Sequence, residues 1–180
     1  MKNFSEEHWI FAYGSLMWRP NFEYEEIQTA RLYGYHQSLC IFSPNYRGTP
    51  AAPGLVVGLD SGGSCVGRAY RVHPEKSAQI RAYLDERELI TGVYHCRAMT
   101  LALESGLRVP AYGYVVKREH ELYTGKLRPT DAVKFVVGRE GRRGTCLEYI
   151  QNTVTHIEEL GFDSGDLRDV LDLALKEQAS

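Results

Sequence analysis

The pattern of apolar and polar positions divides the chain into a strand-rich first part and a helical last part. Apolar or alternating runs predict strands at residues 9–13, 30–42, 54–60, 65–72, 94–103 and 109–117. Gly62-Gly63, between the third and fourth runs, predicts a hairpin turn. Because strands come first and helices later, with little alternation, we expect an α+β fold built on a mostly antiparallel sheet or barrel.

Helical spacing predicts one helix among the strands and up to three after them. The first begins near Pro74, a residue suited to the first helical position, and continues to about Glu88. Residues 129–137 predict a second helix, and Gly161 is expected to end a third. Ser164 is expected to cap the last helix. The apolar positions of the last two helices recur every three or four residues: Leu147, Ile150, Val154 and Ile157, then Leu167, Val170, Leu171 and Ala174.

Glu88 is the first candidate for chemistry, because it follows Ile80 and Leu84 at intervals of four residues. Residues spaced by four lie on one face of a helix. If Ile80 and Leu84 point at the core, Glu88 points there too, or into a cavity beside it. Desolvation favours the neutral form of a carboxyl group, which makes the carboxylate a better proton acceptor. The pattern is therefore consistent with a general base at residue 88.

The alternative for Glu88 is an ordinary position at a frayed helix end. Its carboxylate would then lie in water or pair with Arg87 or Arg97. Three polar neighbours on other faces of the helix are expected to stay in water: Arg81, Asp85 and Glu86.

The segment FAYGSLMW, residues 11–18, is an apolar run that is broken in its middle by Gly14 and Ser15. A glycine directly after a strand allows a tight turn and the close approach of a ligand. Successive backbone N–H groups in such a turn form a concavity that binds anions, and a small carboxylate would fit it. The alternative is an ordinary turn at a strand end. A serine nucleophile is not indicated, because the sequence has no G-x-S-x-G motif here.

Composition narrows the function classes. Apolar residues make up 43% of the 180 and the formal net charge is −2, which argues against a dedicated nucleic-acid binder. No apolar run approaches the about 20 residues that span a bilayer. Residues 1–7 are polar and mixed in charge, unlike a signal peptide. The four cysteines form no CxxC pair and no zinc-type cluster, so we expect a cytoplasmic protein without a metal site.

Three segments together resemble one protein family. They are WIFAYGSLMWRP (residues 9–20), RGTPAAPGLVVGL (47–59) and YLDERELITGVY (83–94). Their order and spacing are similar to those of the ChaC family of γ-glutamylcyclotransferases, over about residues 9–160. The resemblance implies a single domain over residues 1–180, a small β-barrel surrounded by helices. It also implies an enzyme that cuts glutathione into 5-oxoproline and cysteinylglycine, with no metal or organic cofactor.

The resemblance also assigns roles to individual residues. The family's catalytic glutamate falls on Glu88, in agreement with the helix pattern, and its substrate-binding loop falls on residues 13–16. The residues of this loop, Tyr13, Gly14, Ser15 and Leu16, are therefore implied as substrate contacts. Tyr94 is a further candidate, because it follows Glu88 by six residues, and Tyr149 matches the tyrosine of an acidic-Tyr pair that the family carries before its long C-terminal helix. The alternative for Tyr149 is simple packing. Cys146 stands where the family has an asparagine, which puts the hydrogen bonds of that position in doubt.

Three functions remain open at this point. They are a cyclotransferase specific for glutathione, a cyclotransferase of the same fold that acts on another γ-glutamyl donor, and a non-catalytic barrel that binds a small acid. The expected partner in each case is a small molecule rather than a nucleic acid or a membrane. The sequence leaves the oligomeric state open.

Overall fold

Five strands close into a barrel in the order β1-β3-β2-β4-β5. Their bounds are Trp9–Ala12 (β1), Glu26–Ser43 (β2), Gly54–Arg71 (β3), Tyr94–Leu103 (β4) and Arg108–Val116 (β5). The pairs β1–β3, β2–β4 and β4–β5 are antiparallel, whereas β1–β5 is parallel. The structure, a computed structural model, describes residues 8–180; residues 1–7, for which the sequence predicts no signal peptide, lie outside this range. The predicted mostly antiparallel barrel is confirmed.

Strand β1 is short but central. Ile10 lies opposite Tyr70 of β3 on one side and Tyr112 of β5 on the other. Ile10, Phe11 and Ala12 are completely buried. A strand with partners on both edges and packing on both faces reads as a continuous apolar run, which is why the sequence shows no alternation here.

The hairpin predicted at Gly62-Gly63 is wrong. Residues 54–71 form one continuous strand, β3, with both glycines inside it at φ of +100° and +70°. Glycine adopts these angles without steric cost, so the pair is an irregularity within a long strand and does not reverse the chain. The length of β3 lets it pair with β1 on one edge and with β2 on the other.

The helices follow the predicted positions, with one shortened. They are α1 (Pro74–Glu88), α2 (Pro129–Ala132), α3 (Cys146–Glu159) and α4 (Asp166–Gln178). The segment predicted as a helix over residues 129–137 is α-helical only to Ala132 and continues as a 3₁₀ turn to Phe135. Two-residue strands β6 (Glu140–Gly141) and β7 (Gly144–Thr145) precede α3. Across residues 8–180, no helix is long and apolar enough to cross a membrane.

Of the predictions for the last two helices, the apolar face of α4 and the end of α3 are confirmed, and the cap of α4 is wrong. The predicted apolar face of α4 is buried, and Gly161 after α3 has a φ of +83°, the left-handed conformation typical of a residue just past a helix end. Ser164 is not the cap of α4, however. Its hydroxyl donates to the carboxylate of Glu158 at 3.0 Å, and Gly165 takes the capping position with a φ of +52°. Because the Ser164 hydroxyl is bonded to Glu158 of α3, it does not cap the first turn of α4.

The chain separates into two compact units, and each is assembled from two segments. One contains the chain up to Gln37 together with Leu59–Lys117, and the other contains Ser38–Gly58 and Arg118–Ser180. The expectation of one domain over residues 1–180 stays a prediction. The predicted catalytic glutamate and the broken apolar segment fall in the first unit, while Cys146 and Tyr149 fall in the second.

Cys146, the residue that departs from the family pattern, is fully buried in the second unit. Its thiol donates to the carbonyl oxygen of Leu55 at 3.1 Å and accepts from the Leu55 N–H at 3.3 Å. Burial raises the pKa of this thiol to about 11, although the hydrogen bond with Leu55 and nearby arginines oppose the change. Cys146 thus acts as a structural partner of a strand backbone, and its thiol stays protonated at neutral pH.

Two glycines of the barrel offer a test of its packing. A Cβ added to Gly67 would lie 2.2 Å from the carbonyl oxygen of Ala12 in β1, whereas one added to Gly113 would meet the flexible end of Met99 at 2.9 Å. Neither glycine has a positive φ. We expect Gly67→Ala to lower the free energy of unfolding by about 3 kcal/mol, because two backbones must separate.

Gly113→Ala is the matched control, and we expect it to cost about 1 kcal/mol, because a methionine side chain can move aside. Urea unfolding followed by circular dichroism measures both changes. Equal losses in the two variants would contradict the close approach of β1 and β3.

Candidate active site

The broken apolar segment forms a tight turn directly after β1. Residues Ser15–Met17 make a single 3₁₀ turn, in which the Met17 N–H donates to the carbonyl oxygen of Gly14 at 2.9 Å. The N–H groups of Gly14, Ser15 and Leu16 donate to no acceptor within residues 8–180. Consecutive amides in this condition are suited to bind an anion. The geometry therefore supports the predicted carboxylate-binding turn, whose role stays a prediction.

Two side chains from the barrel strands hold this turn in place. The buried Tyr70 hydroxyl of β3 lies 3.1 Å from the carbonyl oxygen of Leu16 and 3.0 Å from that of Met17. Gln37 of β2 donates from its side-chain amide to the carbonyl oxygen of Tyr13 at 2.6 Å. Burial raises the pKa of Tyr70 to about 12, so its hydroxyl stays a donor across the physiological range. Because the carbonyl oxygens are fixed from the protein side, the amides of the turn remain available.

Tyr13, a predicted substrate contact, uses its hydroxyl inside the protein. This hydroxyl donates to the carbonyl oxygen of Tyr114 in β5 at 2.7 Å, and the Tyr13 side chain is buried. Any contact of Tyr13 with a ligand would therefore involve its backbone or the edge of its ring. The bond fixes the start of the turn to the barrel wall.

Helix α1 places Glu88 as its last residue. Ile80 and Leu84 are buried, as the shared face predicts, and Glu86 is exposed. The Glu88 side chain is 20% exposed, so it lies between the core and bulk water. This partial burial agrees with the predicted inward face, and the direction of the side chain stays a prediction. Its role as a general base stays a prediction.

Arg87 connects Glu88 to the turn. Its side chain is only 7% exposed, and its Nε lies 3.0 Å from Oε1 of Glu88. One terminal nitrogen donates to the Ser15 hydroxyl at 3.0 Å, and the other donates to the carbonyl oxygen of Arg19 at 2.8 Å. The sequence offers pairing with Arg87 as an alternative to burial of Glu88. In the structure Glu88 is both paired with Arg87 and partly buried. The contact with Ser15, 72 positions away, had no signal in the sequence.

Arg81 and Asp85 do not stay in water, contrary to expectation. Arg81 pairs with Asp85 at 3.1 Å, and the Tyr114 hydroxyl donates to the same carboxylate at 2.7 Å. The Arg81 guanidinium also lies 4.5 Å from the centre of the Tyr112 ring. Burial, followed by the bond to Asp85, raises the pKa of Tyr114 well above its usual range. The polar face of α1 is thus attached to two tyrosines of β5.

The last two predicted contacts, Tyr94 and Tyr149, belong to different compact units. Tyr94 is half-buried at the first position of β4. Tyr149 belongs to the second unit, where its buried hydroxyl accepts from the Val57 N–H at 3.1 Å and the Arg47 guanidinium lies 5.2 Å from its ring centre. Their roles as substrate contacts stay predictions. No cluster of three or more His, Cys, Asp or Glu side chains that could hold a metal ion occurs in residues 8–180.

Comparisons with known proteins agree in both sequence and fold. The chain is 34% identical over 163 residues to the glutathione-specific gamma-glutamylcyclotransferase of Escherichia coli strain K12, covering 91% of this chain and 71% of that protein. It is 30% identical over 162 residues to the human glutathione-specific gamma-glutamylcyclotransferase 1, covering 88% and 73%. The crystal structure of a yeast gamma-glutamyl cyclotransferase specific to glutathione superposes with a TM-score of 0.84 at 20% identity, covering 93% of this chain and 95% of that one. A family model for ChaC-like proteins matches residues 8–177, and the chain therefore belongs to the ChaC-like family.

Proposed function

We propose that this protein is a glutathione-specific γ-glutamylcyclotransferase that releases 5-oxoproline and cysteinylglycine. The names of its relatives in bacteria and humans support this substrate. The observation in the structure that carries the proposal is the connection made by Arg87. One buried guanidinium contacts both the Glu88 carboxylate and the Ser15 hydroxyl, so a carboxylate and an anion-binding turn are held side by side.

The reaction needs a folded substrate more than a protein nucleophile. The α-amino nitrogen of the glutamyl group attacks its own γ-carbonyl carbon, and the new C–N bond closes a five-membered ring. The amide bond to the cysteine nitrogen breaks, and its electron pair leaves with that nitrogen. Because both partners belong to one molecule, holding the curled conformer supplies much of the rate enhancement.

In this proposal the turn binds the substrate and Glu88 transfers the proton. The spare N–H groups at Gly14, Ser15 and Leu16 would hold the α-carboxylate of the glutamyl group and fix the curled conformer. The α-amine is protonated at neutral pH and must lose protons to attack. Glu88 would take a proton from the attacking amine and return it to the departing cysteine nitrogen. The proposed reaction requires no cofactor, and we expect the enzyme to be cytoplasmic.

A different γ-glutamyl donor is the second candidate, since Cys146 replaces the asparagine of the family pattern. A non-catalytic acid-binding barrel is the third. Mass spectrometry of incubations with glutathione separates the three functions. We expect equal amounts of 5-oxoproline and cysteinylglycine. Product from another γ-glutamyl compound but not from glutathione would favour the second candidate, and no product from any donor would favour the third.

Replacement of Glu88 tests the base. Glu88→Gln keeps the size of the side chain but cannot accept a proton. We expect the variant to fold and bind glutathione, with kcat lowered about 10²–10⁴-fold, the usual contribution of a general base. Steady-state kinetics measure kcat, and isothermal titration measures binding to the inactive variant.

Glu86→Gln is the control for damage to the helix end, because Glu86 lies two residues away and is exposed. We expect it to keep kcat close to wild type. A similar loss in both variants would indicate a disturbed helix, and full activity of Glu88→Gln would remove Glu88 from the mechanism.

The substrate itself can test the turn. Glutathione with its glutamyl α-carboxylate converted to an amide keeps the reacting atoms but loses the charge that the turn is proposed to bind. We expect kcat/KM to fall about 10–100-fold, the scale of one or two charged hydrogen bonds. The matched control carries the amide on the glycine carboxylate and should lose less than about 3-fold. Equal losses for the two amides would contradict the role of the turn.

A further inference from the structure

Arg87 lies between the proposed base and the turn, and the proposed proton transfers give it no step of its own. Its side chain is more than nine-tenths buried, and the guanidinium contacts four groups. They are the Glu88 carboxylate, the Ser15 hydroxyl, the carbonyl oxygen of Arg19 and, at 3.4 Å, the Tyr83 hydroxyl. A buried cation is costly unless it is paired, so its placement is determined by these partners. The planar fork of an arginine spreads its donors over three nitrogens and can satisfy separated partners at once, whereas a lysine has a single nitrogen.

Glu88 needs such a partner because of where it lies. It is the last residue of α1, the end of a helix that carries a partial negative charge. A carboxylate there is repelled by the helix dipole, and terminal residues fray. Arg87 offsets the repulsion with a positive charge 3.0 Å from Oε1. Arg87 thus contributes to fixing the conformation of the Glu88 carboxylate.

Arg87 and Glu88 attract one another as charges, and the Glu88 carboxylate does not accept a hydrogen bond from Nε of Arg87. Nε of Arg87 is within 3.0 Å of Oε1, yet its N–H is not aligned for a hydrogen bond and has no other acceptor within residues 8–180. The attraction is therefore that of two charges. It holds the carboxylate in place, while the lone pair that would take a substrate proton is not used by Arg87.

We propose that Arg87 is a positioning residue, which holds the Glu88 carboxylate and the Ser15 turn in one geometry and acts on the reaction through Glu88. This inference rests on the proposed function. Arg87 does not exchange a proton with the substrate. Its effect is to fix the distance between the base and the bound α-carboxylate, so that the α-amine is presented to Glu88 in each turnover.

A double-mutant cycle tests the inference. Arg87→Met, which keeps the length of the side chain but not its charge, is made in the wild type and in Glu88→Gln, and kcat and KM for glutathione are measured in all four proteins. In the wild type we expect kcat to fall about 30-fold, while KM changes less than about 3-fold. In Glu88→Gln the same replacement should lower kcat by less than about 3-fold, because the group it acts through has already been removed.

Two further variants keep the test decisive. Arg87→Lys restores the charge but cannot contact Ser15 and Arg19 together, so we expect about 5-fold loss of kcat in the wild type and none in Glu88→Gln. If Arg87→Met does not fold, Arg87→Lys replaces it in the double-mutant cycle. Arg81→Met, on the same helix, is the control for helix damage, since Arg81 pairs with Asp85 and not with Glu88. Any loss that it causes should be equal in both backgrounds.

The outcomes separate failure of this inference from failure of the proposed function. Equal losses for Arg87→Met in both backgrounds, with Glu88→Gln itself inactive, would overturn the positioning role and leave Glu88 as the base. Full activity of Glu88→Gln would overturn the proposed base whatever Arg87 does. If another γ-glutamyl compound is the true donor, the same cycle is run with that compound and is interpreted in the same way.

Discussion

The side chain and backbone of Tyr114 fix the two parts of the candidate site to the barrel. Its hydroxyl donates to Asp85 in the middle of α1 at 2.7 Å, and its carbonyl oxygen accepts from the Tyr13 hydroxyl at 2.7 Å. Tyr114 itself is only 2% exposed. A buried tyrosine keeps its hydroxyl paired, since an unpaired donor in the core is expensive. One strand residue therefore determines where the helix that ends at Glu88 runs and where the turn at Gly14 begins.

This arrangement explains how a closed barrel can carry a polar site without losing stability. The carbonyl oxygens of the turn are satisfied from the protein side, by Gln37 and Tyr70 among others. The unsatisfied groups are amides, at a place where an anionic ligand can satisfy them. Two charged groups of α1 likewise have partners on β5, because Arg81 lies over the Tyr112 ring and Asp85 accepts from the Tyr114 hydroxyl. In this turn, the groups without a protein partner are thus ones that an anionic ligand can satisfy.

Local pattern was enough to predict most of the strands and the buried apolar faces of α1 and α4, since these depend on the spacing of side chains along one element. The same spacing singled out Glu88, whose role stays a prediction. Local pattern was not enough for contacts between distant segments. Arg81 and Asp85 were expected in water because helix periodicity cannot show a tyrosine 29 positions away on β5. The wrong predictions of a hairpin at Gly62-Gly63 and of a helix cap at Ser164 have the same cause. In each, a neighbour in space competed with the local preference of the sequence.

Cys146 shows how a departure from a family pattern can leave the local structure intact. Its thiol both donates to and accepts from the backbone of Leu55 in β3. A side-chain amide also has one donor and one acceptor group, so an asparagine could serve the same backbone. In this chain the side chain of residue 146 is fully buried and directed at that strand. The cysteine is therefore accounted for locally by its two hydrogen bonds with the Leu55 backbone, which join α3 to β3.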